Sequence, residues 1–246
     1  MLDLCDIHGH FLPGMDDGCQ TPDEAIALLR CSYAAGIHRM CATPHYYPVE
    51  SVEDFLCRRQ ESVQRLNGRI AQLGITDIPQ ILLGAEVAYR QGLGGLETLD
   101  KLCLGASRYM LLELPFEPWN NSLLRDVRNI CCARGITPIF AHIERYLSLQ
   151  SGQQLKRILS CGGLVQVNAG SLLEFPRNLR TRALIAKGYA QLLGSDCHNM
   201  QGRKPNLHLA HNWLKKHRLY GRSQEMAQLS CEIFEAGILL EQEYKP

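Results

Sequence analysis

The stretch DIHGHFLPGMDDG, residues 6–18, concentrates side chains that could bind metal ions. Asp6, His8, His10, Asp16 and Asp17 all fall within it, although only 21% of the chain is charged. His8 and His10 are two positions apart, and in extended backbone this spacing places both imidazoles on the same face. An isolated HxH pair is a weak signal, because nine histidines in 246 residues readily produce one by chance. The rest of the chain therefore decides whether this pair belongs to a metal site.

Further histidines and carboxylates follow strand-like segments along the chain. Each lies at or just beyond the end of an apolar run: His45, Glu86, Glu113, His142, Asp196 and His198. Glu113 stands in the apolar sequence LLELP, where an ionised carboxylate is costly to bury without a cation or hydrogen bonds. Mixed imidazoles and carboxylates without thiolates suit manganese, iron or zinc, and do not indicate a structural zinc site. The set exceeds the needs of one ion, so we expect two or three metals, with Glu86 or Glu113 bridging a pair.

Short apolar runs alternate with longer segments of helical periodicity, and this alternation indicates an α/β fold. Seven runs predict strands, at residues 2–7, 37–43, 80–87, 108–114, 137–143, 163–169 and 190–195. Repeated strand and helix units imply parallel strands, in an open doubly wound sheet or a closed barrel. The chain has no GxGxxG or P-loop motif, and this absence argues against the interpretation as a nucleotide-binding open sheet. In a parallel barrel the carboxyl ends of the strands meet at one mouth, which would bring the candidate ligands together.

Local signals also mark helix boundaries. Thr21 and Glu24 form a capping box with Pro22 at the first helical position, and Gly36 is expected to end this helix. A longer helix is predicted over residues 52–73. No change in composition suggests a second domain, so we expect a single domain over residues 1–246.

Composition argues against several functional classes. The net charge of +1 offers no electrostatic footprint for nucleic acid, and no apolar run approaches the roughly 18 residues needed to insert across a membrane. Asp3 and Asp6 stand where a signal peptide would carry basic residues, so we expect a cytoplasmic protein. The eleven cysteines lack any CxxC pair, and most are interpreted as small buried side chains. Cys197 and Arg203 match the C-x5-R pattern of cysteine-dependent phosphatases, but so many cysteines and arginines produce that spacing by chance.

Six motifs, in this order, carry a resemblance to a known family. DIHGH, PGMDDG, ATPHYYP, GAEVAY, AHIERY and GSDCHN resemble the PHP superfamily, named after polymerases and histidinol phosphatases. The chain is most similar to its metal-dependent bacterial protein-tyrosine phosphatases of capsule and exopolysaccharide operons, over residues 6 to about 205. This resemblance implies a distorted seven-stranded (β/α)7 TIM-like barrel with three divalent metal ions, often manganese, with iron or zinc as alternatives.

The resemblance also implies a set of metal ligands. They are His8, His10, Asp17, His45, Glu86, Glu113, His142, Asp196 and His198. The residues alone do not decide between Asp16 and Asp17, and the family pattern favours Asp17. Asp6 is a weaker candidate that could orient a ligand, although a solvated carboxylate fits equally well. Asn168, at the end of the sixth predicted strand, could line the floor of the site or make an ordinary strand-end hydrogen bond.

Two arginines complete the predicted chemistry. Arg145 follows His142 by three residues and Arg203 follows His198 by five, so both lie in loops beyond strand ends. A guanidinium can bind phosphate oxygens with two parallel hydrogen bonds, and both positions resemble the phosphate-binding arginines of the family. The predicted reaction is hydrolysis of protein phosphotyrosine by a metal-bridging hydroxide, without a covalent phosphoenzyme. The sequence identifies no general acid.

The implied partner is the phosphotyrosine tail of a bacterial tyrosine kinase that controls polysaccharide export. Two alternatives stay open. One is a PHP phosphatase that acts on histidinol phosphate or another small molecule, with the same metals and a different rim. The other is a PHP-like binding module without catalysis, although none of the implied ligands is missing from this chain.

Overall fold

The computed structural model describes residues 2–243, except for the side chains of residues 177 and 240–243. Within these residues the chain forms nine strands and eight α-helices. The strands are β1 Leu4–Gly9, β2 Ile37–Ala42, β3 His45–Tyr46, β4 Gln80–Leu83, β5 Glu86–Ala88, β6 Tyr109–Glu113, β7 Thr137–Phe140, β8 Leu164–Asn168 and β9 Leu192–Gly194. The helices are α1 Pro22–Ala34, α2 Val52–Leu73, α3 Asn121–Arg134, α4 Gly152–Leu159, α5 Ala169–Leu173, α6 Arg177–Ala186, α7 Leu207–Lys216 and α8 Tyr220–Glu243. Short 3-10 helices occupy Leu93–Gly95, Leu99–Leu102 and Ile143–Tyr146.

The described strands pair in parallel, in two sheets. One sheet has the order β1-β2-β4, and the other has the order β3-β5-β6-β7-β8-β9. The predicted α/β fold with parallel strands is thus confirmed. Each of the seven predicted segments overlaps a strand, and the third overlaps two, β4 and β5; β1 and β5 extend two residues and one residue beyond the predicted ends. The two-residue strand β3 was not predicted, because it is too short to show any periodicity.

Strands β2 and β4 each lead into a short strand of the other sheet. Two residues separate β2 from β3, and two separate β4 from β5. Across this break the N–H of Gly84 donates to the carbonyl of Ala42 at 2.9 Å, and the N–H of Glu86 donates to the carbonyl of Pro44 at 3.0 Å. The two sheets therefore remain linked through the backbone. Pro44 has no N–H to donate, which accounts for an interruption at this point of the ladder.

The first and last strands are also joined at their carboxyl ends. The N–H of Asp196 donates to the carbonyl of His8 at 3.0 Å. The N–H of His10 donates to the carbonyl of Cys197 at 2.8 Å, beside a parallel bridge between Gly9 and Cys197. These bonds bring the segments that carry HGH and DCH side by side.

The carboxylate of Asp6 lies inside the protein, with only 1% of the residue exposed. It accepts hydrogen bonds from the N–H of Ser195 at 3.0 Å and from the N–H of His8 at 3.3 Å. Asp6 therefore ties β1 to the segment after β9 and supports the backbone of His8. The alternative of a solvated carboxylate is excluded.

The predicted helix boundaries agree with the structure. The Thr21 side chain accepts from the N–H of Glu24, whose carboxylate in turn accepts from the N–H of Thr21, and Pro22 begins α1. Gly36, with φ +84°, follows the end of α1 in a conformation that favours glycine. Helix α2 occupies the predicted residues 52–73. Among the described residues, no helix has the length and hydropathy that a membrane crossing requires.

Helix α8 packs against the part of the strands that lies away from the candidate ligands. Its Ile233 and Phe234 are fully buried among strand side chains. The strand members of this cluster are Cys5, Ile7, Cys41, Leu82, Leu111, Ile139 and Leu192, and Ala141 directly follows β7. These residues precede the polar candidates along the same segments, so apolar packing supports the strands on which the site is built.

Candidate metal centre

All nine side chains that the sequence nominated as ligands converge in one region. They lie on β1, β3, β5 and β6, or in the segments directly after β1, β7 and β9. Three groups of facing donor atoms result, with the atoms of each group within 4.8 Å of one another. The groups are His8, His10, Glu86 and Asp196; His10, Asp17, His45 and His198; and His45, Glu86 and Glu113. His142 joins them through contacts with two of these carboxylates.

The first group is the most deeply buried. The Nε2 atoms of His8 and His10 lie 3.1 Å apart, and Glu86 Oε2 lies 3.2 Å from the former and 3.1 Å from the latter. Asp196 Oδ1 is 3.5 Å and 3.6 Å from the same two nitrogens. None of the four residues is more than 3% exposed. Four donor atoms that face one buried point suit a single divalent ion.

The second group opens to solvent. Asp17 Oδ1 lies 3.2 Å from His198 Nε2 and 3.7 Å from His45 Nε2. The imidazoles of His10 and His198 stack with their centroids 4.0 Å apart. The Asp17 side chain is 65% exposed, so this group forms the solvent-facing edge of the cluster.

Glu86 connects the groups. Its Oε2 atom lies 3.3 Å from His45 Nδ1, and its Oε1 atom lies 2.8 Å from His142 Nε2. Glu113 Oε1 is 3.5 Å from the same His142 nitrogen. A carboxylate that faces two groups of ligands at once has the arrangement expected of a bridge between two ions.

The turn after β1 returns the chain to His10. Gly14 has φ +66°, its N–H donates to the carbonyl of Cys19 at 2.9 Å, and the N–H of Cys19 donates to the carbonyl of His10 at 3.2 Å. Gly18 packs directly on His10, because a Cβ atom there would lie 1.9 Å from the His10 carbonyl oxygen. Only glycine fits this close approach.

Asp16 supports the cluster from outside the ligand set. Its Oδ2 atom lies 2.7 Å from His10 Nδ1 and accepts a hydrogen bond from the N–H of His45 at 2.9 Å. A carboxylate in this position fixes the tautomer and orientation of a metal-binding histidine. Asp17, and not Asp16, shares a donor group with His198. The structure therefore distinguishes the two aspartates, and the contacts of Asp16 with His10 and His45 were not predicted from the sequence.

Two candidate ligands adopt backbone conformations that side chains rarely occupy. His142 has φ +34° and Asp196 has φ +53°, and such conformations cost about 1–3 kcal/mol each and persist only where surrounding contacts hold them. The Oε1 atom of Gln166 accepts from the N–H of His142 at 2.6 Å, and Asn168 Nδ2 donates to Asp196 Oδ2 at 2.7 Å. Gln166 was missed from the sequence, although a polar residue at an alternate position of the apolar run LVQVN is a usable signal.

The charges of the cluster are strongly coupled. Burial by itself lowers the pKa of His10, but hydrogen bonds with Asp16 and Glu86 raise it to about 10. Burial raises the pKa of Glu86, yet the surrounding histidines hold it well below its usual value. Burial and the positive charge of His10 lower the pKa of His198 to about 4. The carboxylates therefore attract positive charge. A metal ion has to compete with protons for the same ligand atoms.

The residues present fit the implied metal ions. Among the candidate ligands, three buried imidazole nitrogens make no hydrogen bond with any described residue: His45 Nδ1, His142 Nδ1 and His198 Nε2. Buried polar atoms in proteins are almost always satisfied, so a group of such atoms in one place indicates a ligand. Imidazole nitrogens and carboxylate oxygens are donors that first-row divalent ions accept.

The two nominated arginines lie beside the cluster. Both line an open cavity of about 650 Å³, together with Asp196. Arg203 Nη2 lies 2.6 Å from Asp196 Oδ1, and its Nη1 atom lies 3.5 Å from Asp17 Oδ2. The guanidinium carbon of Arg145 lies 4.8 Å from the ring centroid of Phe116. The cavity is also lined by Arg180. A cavity with three arginines next to a candidate metal cluster suits an anionic substrate.

Cys197 does not behave as the nucleophile of a C-x5-R phosphatase. The residue is fully buried, and burial together with the nearby Asp6 raises the pKa of its thiol well above the usual value. Arg203 pairs with carboxylates. A reactive thiolate needs an exposed, electropositive setting, so chance remains the explanation of this motif.

Comparison with known proteins identifies the family. Residues 4–233 match the family described as capsular polysaccharide synthesis, CpsB/CapC. The chain belongs to this family. It is 28% identical over 228 residues to the tyrosine-protein phosphatase CpsB of Streptococcus pneumoniae, covering 87% of this chain and 90% of that one. It is 30% identical over 210 residues to the tyrosine-protein phosphatase YwqE of Bacillus subtilis, covering 81% and 79%.

Solved structures share the fold of this CpsB/CapC protein. One solved chain superimposes with a TM-score of 0.82 at 23% identity, over 95% of each chain; it comes from the crystal structures of YwqE from B. subtilis and CpsB from S. pneumoniae, described as unique metal-dependent tyrosine phosphatases. An inactive dihydroorotase-like domain from Chaetomium thermophilum gives a TM-score of 0.56 at 11% identity, over 96% of this chain and 80% of that one. The family resemblance expected from the motifs is confirmed.

Proposed function

We propose that this CpsB/CapC protein is a metal-dependent phosphomonoesterase that hydrolyses protein phosphotyrosine. The observation that carries the proposal is the convergence of three groups of metal-donor atoms beside a cavity lined by Arg145 and Arg203. The tyrosine-protein phosphatase names of its relatives support the same reaction, and the description of a solved relative as metal-dependent agrees with it.

Three divalent ions, one for each donor group, make up the proposed cofactor. Manganese is the first choice, with iron and zinc as alternatives, because the donors are imidazoles and carboxylates. The proposed ligands are His8, His10, Asp17, His45, Glu86, Glu113, His142, Asp196 and His198. When bound, such ions lower the pKa of a water molecule and neutralise charge on phosphate oxygens.

The remaining residues bind and orient the substrate. Arg145 and Arg203 bind the phosphate oxygens, and the contacts of Arg203 with Asp17 and Asp196 keep its guanidinium at the edge of the donor groups. Asp16 holds His10 in one orientation. The leaving group is a phenol with a pKa near 10, so protonation by a general acid is less important than for an alkyl ester. The phosphoryl group is transferred directly to water, without a covalent phosphoenzyme.

The same proposal includes the closure of the strands into a barrel and the single domain. The seven strand segments form a distorted (β/α)7 barrel, within one domain over residues 1–246. The backbone bonds across the β2–β3 and β4–β5 breaks support this interpretation, as do the bonds between the segments after β1 and β9. The barrel then carries its site at the carboxyl ends of its strands.

The proposed substrate is the phosphotyrosine tail of a bacterial tyrosine kinase of polysaccharide synthesis. The family description, capsular polysaccharide synthesis, supports this choice. The proposed location is the cytoplasm, and the eleven free cysteines agree with a reducing compartment. The exposed Asp17 edge leaves the site accessible to a protein tail.

The deciding experiment combines metal analysis of the purified protein with parallel assays on a phosphotyrosine peptide and on histidinol phosphate. The proposal expects bound divalent metal and a higher kcat/KM for the peptide. Faster turnover of histidinol phosphate would instead indicate a small-molecule phosphatase. A metal-loaded protein that hydrolyses neither compound would instead favour a binding module.

A further inference from the structure

Phe116 is an exposed aromatic residue on the wall of the cavity that also holds Arg145 and Arg203. It lies three residues after Glu113, the end of β6. Half of the residue is exposed, at 50%. An exposed apolar side chain is ordinary on an open surface, but beside a polar site for an anion it indicates a specific contact.

The Phe116 ring is held in place by other aromatic groups. Its centroid lies 4.8 Å from that of Tyr146, which is fully buried. The Phe116 centroid also lies 6.4 Å from that of the His142 imidazole, with only 20° between the two ring planes. The Arg145 guanidinium carbon lies 4.8 Å from the Phe116 centroid. A ring with a fixed position therefore adjoins both a candidate ligand and a proposed phosphate-binding group.

We propose that Phe116 contacts the aromatic ring of the phosphorylated tyrosine and forms a binding subsite for aryl phosphate esters. The inference rests on the proposed function, since it requires phosphate to bind at Arg145. A phosphate held by that guanidinium places the ring of its ester one oxygen atom away, within reach of the neighbouring Phe116. Aromatic pairs attract in offset or edge-to-face contacts at centroid separations of about 4.5–7 Å. Phosphoserine has no ring and cannot gain this contact.

The cavity is large enough for this arrangement. Its volume of about 650 Å³ lies within the range of about 300–1,000 Å³ that encloses whole small ligands. Phosphate bound at the arginines therefore leaves room for the ester group. Phe116 then favours tyrosine over serine through an attractive contact, in addition to any effect of leaving-group pKa.

The test compares kcat/KM for two peptides that differ only in carrying phosphotyrosine or phosphoserine. Phe116→Leu should lower the phosphotyrosine-to-phosphoserine ratio about tenfold, and Phe116→Tyr should retain it. Tyr220→Leu is the matched control, because it removes an exposed ring that lies on α8, 5.6 Å from the ammonium of Lys215. The ratio of this control should equal that of the wild type.

A second measurement uses inhibitors, so it does not depend on slow phosphoserine turnover. Phenylphosphonate should inhibit the wild type at least about tenfold more tightly than methylphosphonate, and Phe116→Leu should reduce that difference. Equal inhibition by the two compounds, or an equal loss on both peptides in Phe116→Leu, would overturn the inference and leave Phe116 as a support for Arg145. A metal-loaded wild type that hydrolyses no aryl phosphate would instead refute the proposed function itself.

Discussion

Asp16 and Asp17 are neighbours in the chain, yet their carboxylates contact different imidazole rings. Asp16 Oδ2 lies 2.7 Å from His10 Nδ1, on the ring nitrogen that does not face Glu86. Asp17 Oδ1 lies 3.2 Å from His198 Nε2, within a group of facing donor atoms. One carboxylate therefore orients a candidate ligand, while the other is itself a candidate ligand.

Substitution of these two aspartates should have distinct effects. Asp16→Asn should weaken metal affinity about 10–100-fold, with activity restored at saturating metal, because it disturbs the orientation of His10 and the bond to the N–H of His45 but removes no proposed ligand. Asp17→Asn should lower kcat even at saturating metal, because it removes a proposed ligand. Titration of activity with manganese separates the two outcomes. Identical titration curves for both variants would contradict the assignment.

Removal of metal should abolish activity and destabilise the protein. Without divalent ions Glu86 keeps its negative charge, because the surrounding histidines lower its pKa, and three buried imidazole nitrogens of the cluster make no hydrogen bond with any described residue. A ligand present at 100 times its Kd stabilises the folded state by about 2.7 kcal/mol, so the Tm should fall on chelation and recover with added metal. Calorimetry and phosphatase assays on chelated and reloaded protein test this. Full activity of metal-free protein would refute it.

Cys197 and His198 are adjacent, and their alanine variants distinguish two mechanisms. His198→Ala should cause a near-total loss of activity, because it removes a proposed ligand. Cys197→Ala should change kcat by no more than about twofold and lower stability only by the loss of one small buried side chain, about 1 kcal/mol. Steady-state kinetics with metal analysis measure both. An inactive Cys197→Ala variant, together with a metal-free active wild type, would support a thiolate mechanism.

Activity should depend on the guanidinium groups of Arg145 and Arg203, and not on their positive charge alone. Lysine keeps the charge but cannot make two parallel hydrogen bonds with phosphate oxygens, so Arg145→Lys and Arg203→Lys should each lower kcat/KM by about 100-fold or more. Arg182→Lys is a matched control, because Arg182 is exposed on α6 and lies outside the cavity wall. A similar loss in all three variants would contradict specific phosphate binding.

His211 should make the stability depend on pH. It is buried between α7 and α8, with Nδ1 2.8 Å from the Ser223 hydroxyl, and burial lowers its pKa from 6.5 to about 4. The unfolded chain then binds a proton at higher pH than the folded chain. The stability contributed by neutral His211 is complete above about pH 6.5 and is lost as the pH falls towards 4, by at most about 3 kcal/mol.

Urea unfolding at pH 7, 5.5 and 4.5 measures this contribution. His211→Gln should unfold more easily at pH 7, but its stability should decrease less than that of the wild type as the pH falls. The exposed His38→Gln serves as the matched control. The prediction is wrong if the wild type and His211→Gln lose stability in parallel.

The sequence by itself determined the structural features that depend on residues close together in the chain. The capping box of Thr21 and Glu24 and the strand runs arise from interactions over a few positions, and they were predicted correctly. The HxH spacing and the charged residues at strand ends also indicated where the candidate ligands would meet, because the carboxyl ends of parallel strands share one edge. Their role as metal ligands stays a prediction.

Only the tertiary structure decided the relationships between distant segments. The bond from the N–H of Ser195 to Asp6 joins residues 189 positions apart, and the bond from His142 to Gln166 joins residues 24 apart. The position of Phe116 beside Arg145 likewise depends on how two loops pack. No local periodicity encodes such pairs, because each depends on the path of the intervening chain and on which side chains the packed strands bring into contact.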